Sequence, residues 1–327
     1  MNLLTLENLQ VSIGPVQAVR DVSLSLARGE CRALVGESGC GKSVTAMSLL
    51  NLMPSAAKTN AVRWEFAGRD MRQLSERDWR RMRGNDIAMI FQNPMTALDP
   101  TQTIGSQIAE PLRIHKGLSK REARMRAIAL LERLAIANPA QRAGQYPFEF
   151  SGGMLQRAMI AMAVVCEPQL LIADEPTTAL DVTVQAEVLS ILRELRESSG
   201  TAMLFITHDL GVVAEIADSV SVMYAGQTVE SGSLREVFNT EAHPYTQALK
   251  LAVPNMTHPQ ALQAIAGTPP DLRYPPTGCG FAARCSERMA ICEELPANFS
   301  CKAGSDHHAR CWLWHPEHPA RWREAEQ

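Results

Sequence analysis

The sequence has no long apolar run and no segment typical of a secretion signal. Its longest unbroken stretch of small and apolar residues, Ala158 to Cys166, is nine residues long, about half of the roughly 18 to 20 that a membrane-spanning helix needs. The opening MNLLTLENLQ carries Glu7 and lacks a basic start, so no signal peptide is predicted. We therefore expect a cytosolic protein that reaches a membrane only through a partner.

Excess charge of one sign is also missing. The formal net charge is -3 and the pI is near 6.3, so there is no general electrostatic reason to bind nucleic acid. Hydrophobic residues make up 46% and charged residues 20% of the 327 residues, which is typical of a folded globular chain. The length fits a domain of upper ordinary size followed by a smaller appendage.

The hydrophobic pattern predicts an α/β core. Apolar and polar residues alternate over Leu4–Val11 and Val19–Leu26, which predicts two short antiparallel strands. The apolar run Cys31–Val35 is typical of a buried strand, and a glycine-rich loop and a helix from Ser43 follow it. The remaining predicted elements are, in chain order, helix Ser119–Ile136, helix Gly152–Cys166, strand Leu170–Ala173, helix Val182–Ser198, strand Met203–Ile206 and helix Leu234–Ala252. Short apolar strands alternating with helices indicate a parallel sheet.

The loop from Gly36 to Ser43 reads GESGCGKS and fits the phosphate-binding pattern G-x-x-x-x-G-K-[ST]. Its glycines allow backbone N–H groups to turn inward around an anionic phosphate. Lys42 would supply positive charge to the β- and γ-phosphates, and Ser43 a hydroxyl to the bridging Mg²⁺. The residues predicted to contact nucleotide here are Gly36, Ser38, Gly39, Cys40, Gly41, Lys42, Ser43 and Val44. The alternative is a glycine-rich helix cap that binds nothing.

An acidic pair follows the predicted strand Leu170–Ala173. Asp174 lies where a carboxylate can hold Mg²⁺ through water, and Glu175 can orient or deprotonate the attacking water. The alternative is a solvent-exposed acidic pair. A phosphate-binding loop in the same chain favours the nucleotide site.

Four further motifs resemble those of ABC ATPases. The segment Phe150–Arg157, FSGGMLQR, is similar to the signature sequence of that family. Gln92 resembles the Q-loop glutamine, Ala179–Asp181 the D-loop, and His208 the switch histidine. Together with the phosphate loop, these motifs follow the order of the family over about half of the chain.

The resemblance implies a P-loop NTPase fold of the ABC type, with an N-terminal antiparallel β subdomain, a helical signature subdomain and a small Cys-rich C-terminal extension. It also implies that two such chains meet head to tail. Each ATP would then lie between the phosphate loop of one chain and the signature of the other. Glu175, His208 and Gln92 are the implied catalytic residues, and Ser43, Gln92 and Asp174 would hold Mg²⁺. The further residues implied to contact nucleotide are Ser151, Gly152, Gly153, Gln156 and Asp181, and the first three would do so across the pair.

One departure from the family concerns adenine. Members usually carry an aromatic residue near the end of the first strand to stack on the base, whereas this sequence offers Ile13. Apolar contact can still hold a base, but selectivity for ATP over GTP is less firmly implied.

The C-terminal part resembles ATPases that serve oligopeptide, dipeptide and nickel importers. The resemblance rests on His243–Thr246, HPYT, on Gly278–Phe281, GCGF, and on Arg284-Cys285. Proline and glycine rise beyond residue 252, and we predict a nucleotide-binding domain over 1–235, with a helical subdomain at about 93–165, and an extension over 236–327. The implied partners are a paralogous ATPase subunit, two transmembrane permeases and, through them, an extracytoplasmic solute-binding protein. They would place the chain on the cytoplasmic face of a bacterial inner membrane.

Five of the eight cysteines crowd near the C-terminus, with spacings of x5, x6, x8 and x9 and without the C-x₂-C pairs of a zinc ribbon. In relatives with this tail, four cysteines hold a four-iron four-sulfur cluster, and the matching residues are Cys279, Cys285, Cys292 and Cys311. Thiolates favour such centres. Zinc, or no metal, are the alternatives.

The expected cargo is peptide, with nickel or a metal chelate as the alternative. A soluble ABC ATPase of DNA repair or translation is the more distant reading, and the single cassette, the absence of heptads and the missing basic stripe disfavour it. A nucleotide-binding protein without turnover is disfavoured by the presence of Glu175 and His208.

Overall fold

The computed structural model describes residues 2–178, 180–252, 264–302 and 304–318. The strands are β1 Asn2–Ile13, β2 Val16–Ala27, β3 Cys31–Val35, β4 Ala57–Asn60, β5 Arg63–Phe66, β6 Arg69–Asp70, β7 Ile87–Ile90, β8 Leu170–Asp174, β9 Ala202–Thr207, β10 Ser219–Tyr224, β11 Gln227–Ser233, β12 Phe299–Ser300 and β13 His308–Ala309. The α-helices are α1 Lys42–Leu49, α2 Glu76–Met82, α3 Pro94–Ala97, α4 Ile104–Lys116, α5 Lys120–Arg133, α6 Pro139–Arg142, α7 Gly152–Val164, α8 Val182–Ser199, α9 Leu210–Ile216, α10 Leu234–Asn239 and α11 Pro244–Leu251. None of these helices is both long and apolar enough to span a bilayer.

The described chain forms two compact units. The first, here called the phosphate-loop unit, contains residues 2–26, 31–70 and the described residues from 207 onward. The second, the helical unit, contains residues 27–30 and 71–206.

The N-terminal strands of the phosphate-loop unit alternate as the sequence predicts, but they are not short. Strands β1 and β2 each run for 12 residues. The turn between them is confined to Gly14, at a φ of 56°, and Pro15. The far half of β1 continues because β4 pairs with it antiparallel up to Ile13, while β5 pairs antiparallel with its first half. Pairing partners distant in sequence therefore lengthened the strand.

The buried strand β3 lies parallel to β10, which pairs antiparallel with β11. Strand β13, from the far end of the chain, adds antiparallel to β11. An apolar cluster packs here, and it includes Val35, Val222, Tyr224, Tyr245 and Phe281. The ring centroids of Tyr224 lie 4.6 Å from Tyr245 and 5.3 Å from Phe281. Residues from both sides of the predicted boundary at 235 thus share one core.

The predicted helix Leu234–Ala252 is instead two helices, α10 and α11. The break has a tertiary cause, because the buried carboxylate of Glu230 accepts the backbone N–H groups of Ala242 and His243 at 2.9 and 2.8 Å. Pro244 then starts α11 at its first turn, where its missing N–H costs nothing.

The helical unit contains the parallel strands β7, β8 and β9, in agreement with the predicted α/β core. Its predicted helices are also confirmed. Ser119 caps α5 with a reciprocal bond to Glu122, and Ser151 caps α7. Helices α3 to α7 occupy the stretch predicted as a helical subdomain.

Candidate functional site

The phosphate loop joins β3 to α1, and two of its glycines are required by backbone packing. A Cβ on Gly36 would lie 2.2 Å from the carbonyl oxygen of Met223, and one on Gly41 would lie 2.4 Å from that of Ala18. Gly41 also has a φ of 105° and caps α1. Only glycine permits this close, left-handed path, so the loop backbone is pressed against two neighbouring strands.

Lys42 is buried inside the loop and is only 5% exposed. Its Nζ donates to the carbonyl oxygens of Gly36 and Glu37 at 2.8 and 3.0 Å. The ammonium charge is thereby held in the curve of the loop, at the start of α1, where a phosphate would also meet the positive end of the helix dipole.

The other predicted residues of the loop divide into exposed and buried positions. Ser38, Gly39 and Ser43 are exposed, whereas Val44 is half-buried. Cys40 is 5% exposed, and burial raises the pKa of its thiol. The face open to a ligand is therefore made of hydroxyl and backbone groups.

In the helical unit, two predicted catalytic residues meet at the end of β8. The Glu175 carboxylate accepts a hydrogen bond from Gln92 Nε2 at 3.0 Å and another from Thr178 Oγ1 at 2.9 Å. Glu175 has a φ of 48°, and its N–H donates to the Ile206 carbonyl at 2.9 Å. A left-handed non-glycine residue held by its backbone is the kind of strain found at functional sites.

The preceding residue, Asp174, ends β8 and is 4% exposed.

Thr178 was missed by the sequence reasoning, although its place three residues after Glu175 was a signal. Both hydrogen bonds reach the same carboxylate oxygen, Oε2, and they hold the Glu175 side chain at the end of β8.

The signature segment lies on the surface at the start of α7. Ser151 and Gly152 are exposed, and Ser151 Oγ accepts the N–H of Met154 at 3.4 Å. Gln156 differs, because it is 2% exposed and its Nε2 donates to the carbonyl of Pro176 at 2.6 Å. Gln156 thus supports the segment that follows Glu175, while Ser151 and Gly152 face outward and Gly153 packs on Val184.

The remaining predicted residues lie at element ends. Asp181 is exposed and caps α8 by accepting the N–H of Val184 at 3.0 Å, whereas Ala179 of the predicted D-loop falls outside the described residues. His208 is exposed and follows β9 in the phosphate-loop unit. Ile13 is half-buried and is the last residue of β1.

Four of the five tail cysteines line one small pocket: Cys279, Cys285, Cys292 and Cys311. Cys301 is not among its lining residues. Burial, reinforced by the other thiols, raises the pKa of Cys311 to about 12 and also raises those of Cys279 and Cys285. Within the described ranges, no group of three or more His, Cys, Asp or Glu side chains is arranged to hold a metal ion.

A buried histidine lines the same pocket. His243 is 1% exposed, and burial lowers its pKa to about 3, so the ring is neutral. Its Nδ1 accepts the N–H of Tyr245 at 3.0 Å, which leaves the ring proton on Nε2. Nε2 is buried and has no hydrogen-bond partner in the described part of the chain.

Comparisons with known proteins agree with these motifs. The family model "ABC transporter" matches residues 19–178, and the model "Oligopeptide/dipeptide transporter, C-terminal region" matches residues 229–292. The dipeptide transport ATP-binding protein DppD of Bacillus subtilis is 49% identical over 95% of this chain and 94% of its own length. The oligopeptide transport ATP-binding protein OppD of the same organism is 47% identical over 97% and 90%. The probable D,D-dipeptide transport ATP-binding protein DdpD of Escherichia coli is 49% identical over 93% and 92%.

Solved structures give the same result for the fold. A dimeric ATP-binding cassette in a post-hydrolysis state with ADP and Pi aligns with a TM-score of 0.62 at 26% identity, over 71% of this chain and 99% of the other. CbiO1 of Clostridium perfringens, part of an ABC transporter complex, aligns with a TM-score of 0.63 at 25% identity, over 76% and 94%.

Proposed function

Because the chain belongs to the family of ABC transporter ATP-binding subunits, we propose that it binds and hydrolyses ATP to power the import of di- and oligopeptides. The observation that carries the hydrolytic part is the Glu175 carboxylate, held by Gln92 and Thr178 at the end of β8. A carboxylate fixed in this way is suited to orient and deprotonate a water. Lys42, buried in its glycine loop, supplies the charge that binds the phosphates.

The test of hydrolysis is Glu175→Gln, with Glu197→Gln on the exposed face of α8 as the matched control. We expect ATP turnover to fall by about a hundredfold to ten-thousandfold, while ATP binding survives and a closed pair accumulates. The control should turn over ATP as the unaltered chain does. Normal turnover in Glu175→Gln would assign the general base to another residue.

The remaining site roles are part of the same proposal. Ser43, Gln92 and Asp174 would hold Mg²⁺, a Lewis acid that neutralises phosphate charge. His208 would contact the γ-phosphate. In the partner chain, the residues equivalent to Ser151, Gly152 and Gly153 would complete its coordination from an exposed helix start. Asp181 would lie at the same junction, and Ile13 would contact adenine.

We further propose a head-to-tail pair with a paralogous ATPase subunit, seated on two permeases at the cytoplasmic face of the inner membrane, with a solute-binding protein beyond them. Closure on ATP and opening after hydrolysis would be passed on through the Gln92 region. Support comes from the dimeric cassettes that the fold resembles and from the relatives, which are transport ATP-binding proteins. Residues 1–235 would form the nucleotide-binding domain and 236–327 the extension.

Peptide is proposed as cargo because the relatives named above are dipeptide and oligopeptide transport proteins. Deleting the gene and measuring uptake of a radiolabelled dipeptide and of nickel separates this cargo from the metal alternative. Loss of dipeptide uptake alone supports peptide import. Loss of nickel uptake alone would contradict peptide import and support the metal alternative.

The four-cysteine pocket is proposed to hold a four-iron four-sulfur cluster with a structural role. The donor set fits, because four thiols share one pocket and burial raises the pKa of three of them, Cys279, Cys285 and Cys311. A cationic centre offsets this cost of ionising the thiols. Iron and acid-labile sulfide should be found in the anaerobically purified chain and in Cys301→Ser, and should be lost in Cys285→Ser. Retention of iron in Cys285→Ser would contradict the assignment.

A further inference from the structure

Glu37, the second residue of the phosphate loop, is held by two side chains from the C-terminal part of the chain. Its backbone N–H donates to the hydroxyl of Tyr245 at 2.8 Å. Its carboxylate accepts both terminal nitrogens of Arg284, at 2.6 and 3.0 Å. The Arg284 side chain is only 4% exposed. A bidentate pair with a buried guanidinium is strong and directional.

Arg284 is itself fixed on every side. Its Nε donates to the carbonyl of Ala266 at 2.8 Å, and its Nη1 to the hydroxyl of Tyr224 at 3.1 Å. The guanidinium also lies 5.8 Å from the ring centre of Tyr224 and 5.9 Å from that of Phe281. Arg284 therefore cannot follow a movement of Glu37 without losing several contacts at once.

The same two segments line the four-cysteine pocket. Cys285 directly follows Arg284, and His243 lies two residues before Tyr245. The bond from the N–H of Tyr245 to His243 Nδ1 joins the buried ring to the backbone of the residue that contacts the loop. The Nε2–H of His243 is buried without a partner among the described residues, and His243 is one of the residues that line the pocket.

We propose that Tyr245 and Arg284 are positioning residues of the phosphate loop, through which the occupant of the four-cysteine pocket sets the affinity for nucleotide. The proposal rests on the proposed ATP-binding function. An occupant bonded to Cys285 and hydrogen-bonded by His243 orders the two segments that hold Glu37. The loop is then preorganised before phosphate arrives, and less conformational entropy is lost on binding.

The experiment compares the full-length chain, reconstituted anaerobically with ferrous iron and sulfide, with the same chain stripped by a chelator. Loading is read from the visible absorbance of the cluster, and nucleotide affinity from titration with a fluorescent ATP analogue and Mg²⁺. We expect at least about fivefold tighter binding in the loaded chain, the lower end of typical couplings between two sites. In Tyr245→Phe and Arg284→Gln the difference should shrink to less than about twofold, with loading unchanged.

Matched controls lie in the same part of the chain. Arg273→Gln removes an exposed arginine that pairs with Asp271, and Tyr274→Phe removes an exposed hydroxyl. Both should keep the full difference between loaded and stripped chains. Because Arg284→Gln also loses contacts to Ala266 and Tyr224, Tyr245→Phe is the milder variant: it removes one hydrogen-bond acceptor and leaves the ring in place. Its melting curve checks that the chain still folds cooperatively.

A double-mutant cycle tests the pair directly. Glu37→Gln combined with Arg284→Gln should weaken nucleotide binding no more than Arg284→Gln alone. Additive losses would mean that the two residues act separately, which overturns the positioning role of Arg284.

Three outcomes overturn the proposal: failure of iron and sulfide to load, equal affinity in loaded and stripped chains, or a full difference retained in Tyr245→Phe. If the unaltered chain binds no nucleotide in either form, the proposed function fails instead. If the unaltered chain binds ATP equally well when loaded and when stripped, the proposed function stands and only the coupling between the four-cysteine pocket and nucleotide affinity fails.

Discussion

Two helix starts in this chain are expected to meet ATP phosphates, and they are built in opposite ways. At α1 the loop is braced, with Lys42 buried among its carbonyls and Glu37 held by Tyr245 and Arg284. At α7, Ser151 and Gly152 are exposed, and the helix is capped by the side chain of Ser151 itself. A site that binds phosphate without help from another chain needs charge and a fixed backbone. A site that completes the coordination of a nucleotide held by another chain needs to be accessible.

The largest effect on ATP binding is expected from Lys42→Ala. Loss of a charged hydrogen-bond donor costs about 1.5 to 3 kcal/mol, so the Kd for ATP in the isolated chain should rise by about tenfold to a hundredfold. Isothermal titration measures this change, with Lys58→Ala, an exposed lysine of β4, as control. If Ser151→Ala weakened ATP binding by the isolated chain to a comparable extent, the starts of α1 and α7 would not differ as described.

A backbone test compares Gly36→Ala with Gly152→Ala. The new methyl at 36 meets a backbone oxygen at 2.2 Å, whereas the one at 152 meets nothing within 4 Å. We expect Gly36→Ala to lose about 2 kcal/mol of unfolding free energy, and Gly152→Ala to stay within about 0.5 kcal/mol of the unaltered chain. Thermal melting should show a drop of roughly 4 to 8 °C only for the first. Equal melting temperatures would contradict the packing argument.

Ser151→Ala should separate binding from turnover. The isolated chain should bind ATP normally, because the hydrogen bond that the Ser151 side chain makes within the described residues belongs to its own helix cap. Turnover in the assembled pair should fall about fivefold to tenfold, as expected for one lost hydrogen bond to the phosphate. Thr178→Val is an informative comparison, because the bond that it loses, to Glu175, lies within one chain. It should lower turnover whichever partner chain completes the pair. Full turnover by Ser151→Ala pairs would remove the signature from the site.

The smallest effect concerns the thiol inside the braced loop. Burial raises the pKa of Cys40, and because only the thiolate reacts, alkylation by iodoacetamide at neutral pH should be slower in the folded chain than in the unfolded one. Raising the pH should speed labelling only above the normal range of a free thiol. Mass spectrometry at Cys40 measures the rate, and labelling as fast as in denatured protein would show that the loop opens freely.

Much of the fold could be predicted because the relevant signals are local. The apolar runs of β8 and β9 and the capped periodicity of α5 are properties of neighbouring residues, and the predicted bounds agree with the structure to within three residues. The prediction of a single helix over Leu234–Ala252 was wrong because the Glu230 carboxylate accepts two backbone N–H groups in the middle of that segment. His243-Pro244 was the local sign of that break, since a residue before proline avoids helical geometry.

The candidate site divides in the same way. Gln92 and Glu175 were predicted as separate motifs, and only the structure shows their side chains bonded to each other. Gln156 was expected to contact nucleotide, but its side chain is buried and donates to the carbonyl of Pro176. Side-chain direction depends on packing between elements, and the spacing of residues along the chain carries little information about it.

The amino-acid sequence by itself determined the phosphate-binding chemistry, because the required glycines, lysine and hydroxyl are consecutive and act through backbone geometry over eight residues. Only the tertiary structure decided what holds that loop. Glu37 and Arg284 are 247 residues apart, and an ion pair over such a distance forms only when the core around Tyr224, Tyr245 and Phe281 brings the two side chains together and takes the guanidinium out of water.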